Sequence, residues 1–266
     1  MNITVLANRD LASNVALNRL LPALVNEHRM QVFLSSRVGG NEAVPEELAQ
    51  LEVFEQSLFN DLLFPALESF TGNAALQSFE RLGKTTGAGI SDLNKINSEQ
   101  GLAILRASNP DLVLSIRYGG ILREEAIAIS RQGVLNLHSG LLPDYRGVMA
   151  TFYAMLNGEA EVGMTLHYIR DAGIDTGDIV GTTRQFLDLK RSYLGNVLQL
   201  YPAGADLMLA AVGTLSAGKA LPTQVQQAGG NYYSFPTQRQ LEQFSEGGLR
   251  LHDAREVLAF AKQYLE

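Results

Sequence analysis

The sequence predicts an α/β protein: a Rossmann-like, mostly parallel sheet with helices on both faces, followed by a small C-terminal appendage. Three observations predict it. Strand-like and helix-like patterns alternate with short connections through the first half, which is how a parallel sheet is covered on both faces. The 266 residues are 46% hydrophobic and 18% charged, enough apolar surface for one large core and little to suggest disorder. After residue 217 the chain becomes polar and irregular, so the boundary is set between a main unit of residues 1–217 and a subdomain of residues 218–266.

The elements follow in order. Ile3 to Leu6 is a short β-branched run, and Leu11 to Val25 carries Leu17, Leu20, Leu21 and Leu24 at helical spacing. Gln31 to Leu34 is a second strand. Pro45-Glu46-Glu47 reads as a first helical turn, with proline tolerated at its first position and acids near the positive end. Val53 to Phe70 is the greasiest stretch, interrupted by Asp61 and Pro65; it reads as a core or interface helix. Gly72 to Ser91 is loop-like with a short helix near Leu76 to Leu82. Ser98 caps a helix to Ala107, Asn109-Pro110-Asp111 turns the chain, and Leu112 to Ile116 is a buried strand. Leu122 to Ser130 is a short helix and Val134 to His138 a strand. Gly163 to Tyr168 and Ile179 to Gln185 form two more strands, and Ser192 to Leu215 is one long amphipathic helix with a bend near Pro202. A last helix runs from Asp253 to Tyr264. Tyr232 to Pro236 reads as a small strand pair packed on the main unit, with a base-stacking platform as the sharper alternative.

Composition excludes several chemistries. The sequence has no cysteine, which removes disulfides, thiol nucleophiles and thiolate metal sites, and fits a reducing, cytoplasmic setting. A formal charge of −7 argues against a broad phosphate-binding surface, so no nucleic-acid partner is expected. The first residues lack a basic signal-peptide region, and no apolar run is long enough to span a bilayer, so no membrane partner is expected either. The 53–70 stretch and the C-terminal helix are the candidate faces for a homodimer.

Ligands of parallel α/β sheets bind at the carboxyl ends of strands. That rule singles out Ala7-Asn8, Ser35-Ser36, Ile116-Arg117-Tyr118 and Asn136 to His138. The last group is the richest. Residues two apart on a strand share a face, so Asn136 and His138 project together. An amide and an imidazole side by side can both hydrogen-bond one carbonyl oxygen, and the imidazole can also move a proton. The plain alternative is a pair that satisfies backbone groups at a strand end. A shaped loop with two glycines and a proline, Ser139 to Gly147, follows at once. Asp171 to Asp178 then supplies three acids and two glycines in eight residues. A carboxylate from that loop can orient His138.

These runs together resemble the signature of the formyltransferase family. The segments that carry the likeness are Leu135 to Gly147, Leu156-Asn157-Gly158, Gly163 to His167 and Asp171 to Ile179. Asn109-Pro110-Asp111 to Leu122 adds to it. The family includes methionyl-tRNA, glycinamide ribonucleotide and sugar N-formyltransferases, all using 10-formyltetrahydrofolate. The resemblance covers roughly residues 94 to 185. It implies that Asn136, His138 and Asp175 are the catalytic trio. It further implies that the folate lies against Tyr118, Gly119, Gly120, Ile121 and Leu122 on one side and Asp171, Gly173 and Ile174 on the other, bound largely through backbone groups. No metal is implied.

The implied acceptor is a small amine, with a nucleotide-linked amino sugar ranked first. Arg9, Arg146 and Tyr153 are the candidate substrate-binding residues, although Arg146 reads equally well as a structural loop residue. About fifty residues follow Ala217, so a tRNA-binding domain of the usual size is not expected within them. Asn8 to Asn14 lacks the glycine of the phosphate loop of glycinamide ribonucleotide formyltransferases, which weakens that acceptor. An amino-acid-derived amine, glycinamide ribonucleotide, hydrolysis of formyltetrahydrofolate and a non-catalytic folate- or nucleotide-binding module stand as alternatives. His167 reads by default as a core residue behind the acidic loop, with contact to folate or acceptor as the lesser alternative.

Overall fold

The computed structural model describes residues 1–36, 45–69, 72, 74–227 and 229–266. Phe70, the last residue of the predicted greasy stretch, and Asn73, within the predicted loop, lie outside them. Seven strands form one sheet in the order β3-β2-β1-β4-β5-β7-β8. They are β1 (Asn2–Asn8), β2 (Arg29–Ser35), β3 (Gly89–Asp92), β4 (Leu112–Ile116), β5 (Val134–His138), β7 (Glu161–Ile169) and β8 (Ile179–Phe186). β1 to β5 pair in parallel, while β7 runs antiparallel to both β5 and β8. β6 (Tyr145–Gly147) and β9 (Asn231–Tyr233) form a separate parallel pair.

Between the strands run α1 (Leu11–Leu24), α2 (Glu46–Glu52), a π-helix (Val53–Leu63), α3 (Phe64–Ala66), α4 (Phe79–Thr86), α5 (Glu99–Ala107), α6 (Glu124–Ile127), α7 (Ala150–Leu156), α8 (Tyr193–Ser216), α9 (Gln238–Glu246) and α10 (Ala254–Lys262). Strand alternation feeds two cores. Ile3, Val5 and Ala7 of β1 join Leu17, Leu20 and Leu21 of α1 and Tyr201, Ala205 and Met208 of α8. Leu6 of β1 and Val113 of β4 face the other way, toward Leu105 of α5 and Ala126 of α6. Leu17, Leu20 and Leu21 are fully buried, and each such side chain stabilises the fold by roughly 2 kcal/mol. The doubly covered, mostly parallel sheet is the predicted fold class.

The helix starts follow their sequence signals. Asp10, Ser78, Ser98, Ser192, Thr237 and Asp253 each accept a hydrogen bond from a backbone N–H of the first turn that follows. Three expectations need correction. Pro45 is the N-cap of α2 rather than its first residue. The Gly72 to Ser91 stretch contains α4, later than predicted, and the short strand β3, whose pattern GISD offers too little apolar alternation to be read. The predicted helix from Leu122 shrinks to the single turn Glu124–Ile127. Within the greasy stretch Phe59 and Phe64 are buried against Phe79 and Tyr264, whereas Val53 and Leu62 face solvent. Among the described residues no helix is long and apolar enough to cross a membrane.

Candidate active site

β5 ends in Asn136-Leu137-His138, and the strand pleat aims Asn136 and His138 to one face. Across the antiparallel ladder Asn136 stands opposite His167 and His138 opposite Thr165. The loop after β7 returns Asp175 to the same face. There Asp175 adopts a left-handed backbone conformation, φ 55°, one that Asp and Asn tolerate better than most residues.

Four groups converge on the Asp175 carboxylate. The Gly147 N–H donates to Oδ2 at 2.9 Å, and His138 Nδ1 lies 3.4 Å from the same oxygen. Oδ1 lies 3.4 Å from His167 Nε2 and 3.5 Å from Asn136 Nδ2, which donates to it. Burial alone raises the carboxyl pKa. The charge of His138, the contacts with His167 and the Gly147 N–H outweigh burial and hold it down to about 2. Asp175 is therefore an ionised carboxylate across the neutral range.

The hydrogen bonds set the ring roles. His138 Nε2 lies 2.7 Å from the Tyr145 carbonyl, which can only accept, so this nitrogen carries a hydrogen and donates. Its other nitrogen also faces an acceptor, Asp175. His167 Nδ1 donates to the Tyr168 carbonyl at 2.9 Å, and its Nε2 lies 3.0 Å from Asn136 Nδ2 and 3.4 Å from Asp175 Oδ1. Asn136 Nδ2 thus sits between His167 and Asp175. Sequence reasoning expects Asn136 and His138 to present their donors to one carbonyl oxygen. In the structure both residues share the face, but their donors are engaged within the cluster and with the Tyr145 carbonyl.

Two glycines make this packing possible. A β-carbon on Gly140 would meet His138 Nε2 and the Tyr145 carbonyl oxygen at 2.6 and 2.7 Å, in the middle of their hydrogen bond. Gly147 has φ +94°, and a β-carbon there would collide with the Tyr233 carbonyl. Thr165 fastens the intervening loop: its hydroxyl donates to the Gly140 carbonyl at 2.7 Å and accepts from the Leu142 N–H at 3.1 Å.

The remaining predicted positions fall as follows. Tyr118 to Leu122 continue from β4, with the Tyr118 hydroxyl donating to the Leu93 carbonyl, the Gly119 N–H to the Ser35 hydroxyl, and the Ile121 carbonyl accepting from Asn97. Gly120 packs against the Tyr118 ring, Ile121 is exposed and Leu122 is buried. Asp171 accepts from the Gly173 N–H in a two-residue turn, and both are exposed, with Ile174 half-buried beside Asp175. Arg146 sits on β6 between Tyr145 and Gly147, its Nε buried without a partner. Two positions are not brought to the cluster. The Arg9 guanidinium is taken by Glu80 at 2.7 Å and Asp92 at 2.9 Å, toward the β3 edge. Tyr153 is buried, stacked on Tyr233 with its hydroxyl donating to the Ser234 carbonyl.

Sequence reasoning reads His167 as a core residue by default and Gly147 only as a loop former, and it does not single out Gln226. Gln226 Nε2 donates to the carbonyls of Asp175 and Gly177 at 3.0 and 2.7 Å, clamping the acidic loop from outside. Beyond that clamp lies a cavity of about 690 Å³ lined by Leu142, Asp144, Thr182, Arg184, Gln224 and Gln226; it belongs to the far side of the loop, not to the cluster. The alternation Thr165-Leu166-His167 puts His167 on the Thr165 face, but its position opposite Asn136 depends on a register no local pattern states.

Comparison with known proteins bears on this arrangement. Residues 88–186 match the family model described as Formyl transferase. This stretch is similar to formyl transferases. It contains the Asn136, His138, His167 and Asp175 cluster. Curated relatives include a methionyl-tRNA formyltransferase of Geobacter metallireducens, 40% identical over 86 residues, 32% of this chain and 27% of that protein. Another, from Magnetococcus marinus, is 31% identical over 157 residues, 58% of this chain and 49% of that protein. The matches thus span from about a quarter to half of those relatives' length. Solved structures of the same fold include the sugar 3N-formyl transferase WlaRD, in the presence of dTDP and 5-N-formyl-THF, at 19% identity and TM-score 0.58, covering 88% of this chain and 69% of that one. A glycinamide ribonucleotide transformylase from Symbiobacterium toebii has 15% identity and TM-score 0.57, covering 85% and 93%.

Proposed function

We propose that the chain is an N-formyltransferase that moves the formyl group of 10-formyltetrahydrofolate to an acceptor amine, with Asn136, His138 and Asp175 as its catalytic residues. The observation that carries this reading is the convergence of Asn136, His138 and the Gly147 N–H on an ionised Asp175 inside the segment similar to formyl transferases. The folate is assigned to Tyr118 to Leu122 and to Asp171, Gly173 and Ile174. The exposed Ile121 side chain, the lack of side chains at Gly119 and Gly120 and the exposed Asp171 turn leave room there for a flat heterocycle.

In this mechanism the neutral amine nitrogen attacks the formyl carbon. A carbon–nitrogen bond forms while the bond from that carbon to N10 breaks. Asn136 and His138 exchange their present hydrogen bonds for ones to the tetrahedral oxyanion. Asp175 holds the His138 ring, and the proton lost by the amine passes to N10. No covalent enzyme intermediate is needed.

The acceptor is assigned to the small amines, with a nucleotide-linked amino sugar first. The curated relatives carry the name methionyl-tRNA formyltransferase, so an aminoacyl-tRNA is the second reading. One experiment covers both. Loss of 10-formyltetrahydrofolate is followed with amino sugars, amino-acid amines, methionyl-tRNA or no amine, with the product weighed by mass spectrometry. His138→Ala should lower transfer by a factor on the order of 10² or more while folate binding persists. Full activity in that variant would refute the assignment, and steady formate release without amine would select hydrolysis.

A further inference from the structure

β6 and β9 are three residues each, too short to hold their place by backbone pairing alone. Yet β6 carries both backbone groups that grip the cluster. The Tyr145 carbonyl accepts from His138 Nε2 at 2.7 Å, and the Gly147 N–H donates to Asp175 Oδ2 at 2.9 Å. His138 Nδ1 lies 3.4 Å from that same oxygen. The contacts close a circuit, from Tyr145 through His138 and Asp175 to Gly147, with both ends two residues apart on one strand. A shift of β6 therefore moves the imidazole and the carboxylate together.

Side chains supply the anchor that the short ribbon lacks. Tyr233 of β9 stacks on two other rings, on Tyr153 at 4.1 Å and 25° and on Tyr145 at 5.5 Å and 15°. Tyr153 belongs to α7, is buried in the core, and donates its hydroxyl to the Ser234 carbonyl at 2.9 Å. Asn157, just past α7, donates from Nδ2 to the Tyr145 hydroxyl at 3.3 Å and to the Tyr233 hydroxyl at 3.4 Å. The Tyr145 hydroxyl donates in turn to Glu159 Oε1 at 2.7 Å. Burial, opposed by Asn157 and aided by Glu159, pushes the Tyr145 phenol up to about 12, so it stays protonated across the neutral range. The Tyr233 carbonyl accepts from the Val148 N–H at 3.0 Å, one residue beyond Gly147.

We propose that Tyr233 is a positioning residue for formyl transfer: its ring, stacked on Tyr145 and on the buried Tyr153, ties the β6 backbone to α7 and so fixes the carbonyl and the N–H that set His138 against Asp175. The inference rests on the formyl-transfer reading and adds to it a residue that acts on the reaction only through the protein. The folate is assigned to other segments, Tyr118 to Leu122 and Asp171 to Ile174, so a displaced β6 costs alignment rather than binding. Misalignment of a reacting group lowers the rate far more than the affinity. Within the aromatic run Tyr232 to Pro236, Tyr233 is thereby an internal brace and not a platform for a base.

The test replaces the two half-buried members of the stack in the full chain, Tyr233→Leu and Tyr145→Leu, with Tyr233→Phe as the variant that keeps the ring. Two positions are used so that loss of folding at one leaves the other to decide. Loss of 10-formyltetrahydrofolate is followed with the amine that forms product in the screen above. The ring N–H resonance of His138, assigned by its absence in His138→Ala, is recorded in the free protein. Each leucine variant should lower kcat about tenfold, leave KM for 10-formyltetrahydrofolate within about twofold, and shift or broaden the His138 resonance. Tyr233→Phe should match wild type in all three. Leucine variants with wild-type kcat and an unmoved resonance, a rise in KM at constant kcat, or a phenylalanine variant as impaired as the leucine one would overturn the proposal. A wild type that formylates no amine in that screen would remove the formyl-transfer reading, and the resonance, recorded without substrate, would still judge whether Tyr233 positions His138.

Discussion

Replacing Asp175 by asparagine isolates the charge at the centre of the cluster. Asparagine keeps the size, tolerates the left-handed backbone at this position, and retains an oxygen for the Gly147 N–H. What it loses is the ionised carboxylate. The Asp175 carboxyl lies at about 2, against an ordinary value of 3.8, a difference that corresponds to roughly 2 kcal/mol of native-state stabilisation when the group is ionised. The sign is that of a depressed carboxyl. Its stabilisation is fully present above the ordinary value and is lost as pH falls from there through about 2. Urea unfolding at pH 6 should therefore find Asp175→Asn less stable by ~2 kcal/mol, and that gap should narrow as the pH approaches 2. Formyl transfer should fall with it, because His138 loses the group that holds its ring. A variant that matches wild type at pH 6, or a gap that stays constant down to acid, would refute the charge-centred account of the cluster.

Three other outcomes follow from the same geometry. Gly147→Ala forces a side chain into a left-handed position already filled by the Tyr233 carbonyl, so thermal unfolding should show a loss of about 3 kcal/mol. Gln226→Ala removes two hydrogen bonds from the acidic loop, and amide exchange across residues 171–178 should accelerate while global stability drops by only about 1–3 kcal/mol. Asp10→Ala leaves Arg117 buried with the more distant Glu55 as its remaining acid, at a cost of roughly 3–5 kcal/mol measurable by chemical denaturation.

The sequence displays what is written locally. The β5 alternation of Asn136 and His138, the caps at Ser98 and Ser192, and the runs that make β1, β4 and α8 are each set by neighbours a few residues apart. Both cores follow, because strand alternation sends Val5 and Leu6 to opposite faces. The missing parts depend on distance along the chain. His167 enters the cluster through the antiparallel register that sets it against Asn136. Gln226 reaches Asp175 from fifty-one residues away. The Glu55–Arg117 contact joins a greasy helix to a strand end, and its charged members are scattered singly among apolar neighbours. Tyr153 illustrates the opposite error: an aromatic near the motif looks available for substrate, but its ring and hydroxyl are both consumed by the Tyr233 to Ser234 segment.

The pairing of β6 with β9 has a consequence for how the molecule can be divided. Tyr145 supplies the carbonyl that His138 holds, Gly147 supplies the N–H that Asp175 holds, and both belong to a strand whose partner is Asn231–Tyr233. The Val148 N–H also donates to the Tyr233 carbonyl. The change of composition near residue 218 is thus a seam in the text of the chain but not in its working parts. Asn231–Tyr233 holds the strand that supplies both backbone contacts of the cluster, and residues 88–186 taken alone would lack that strand partner.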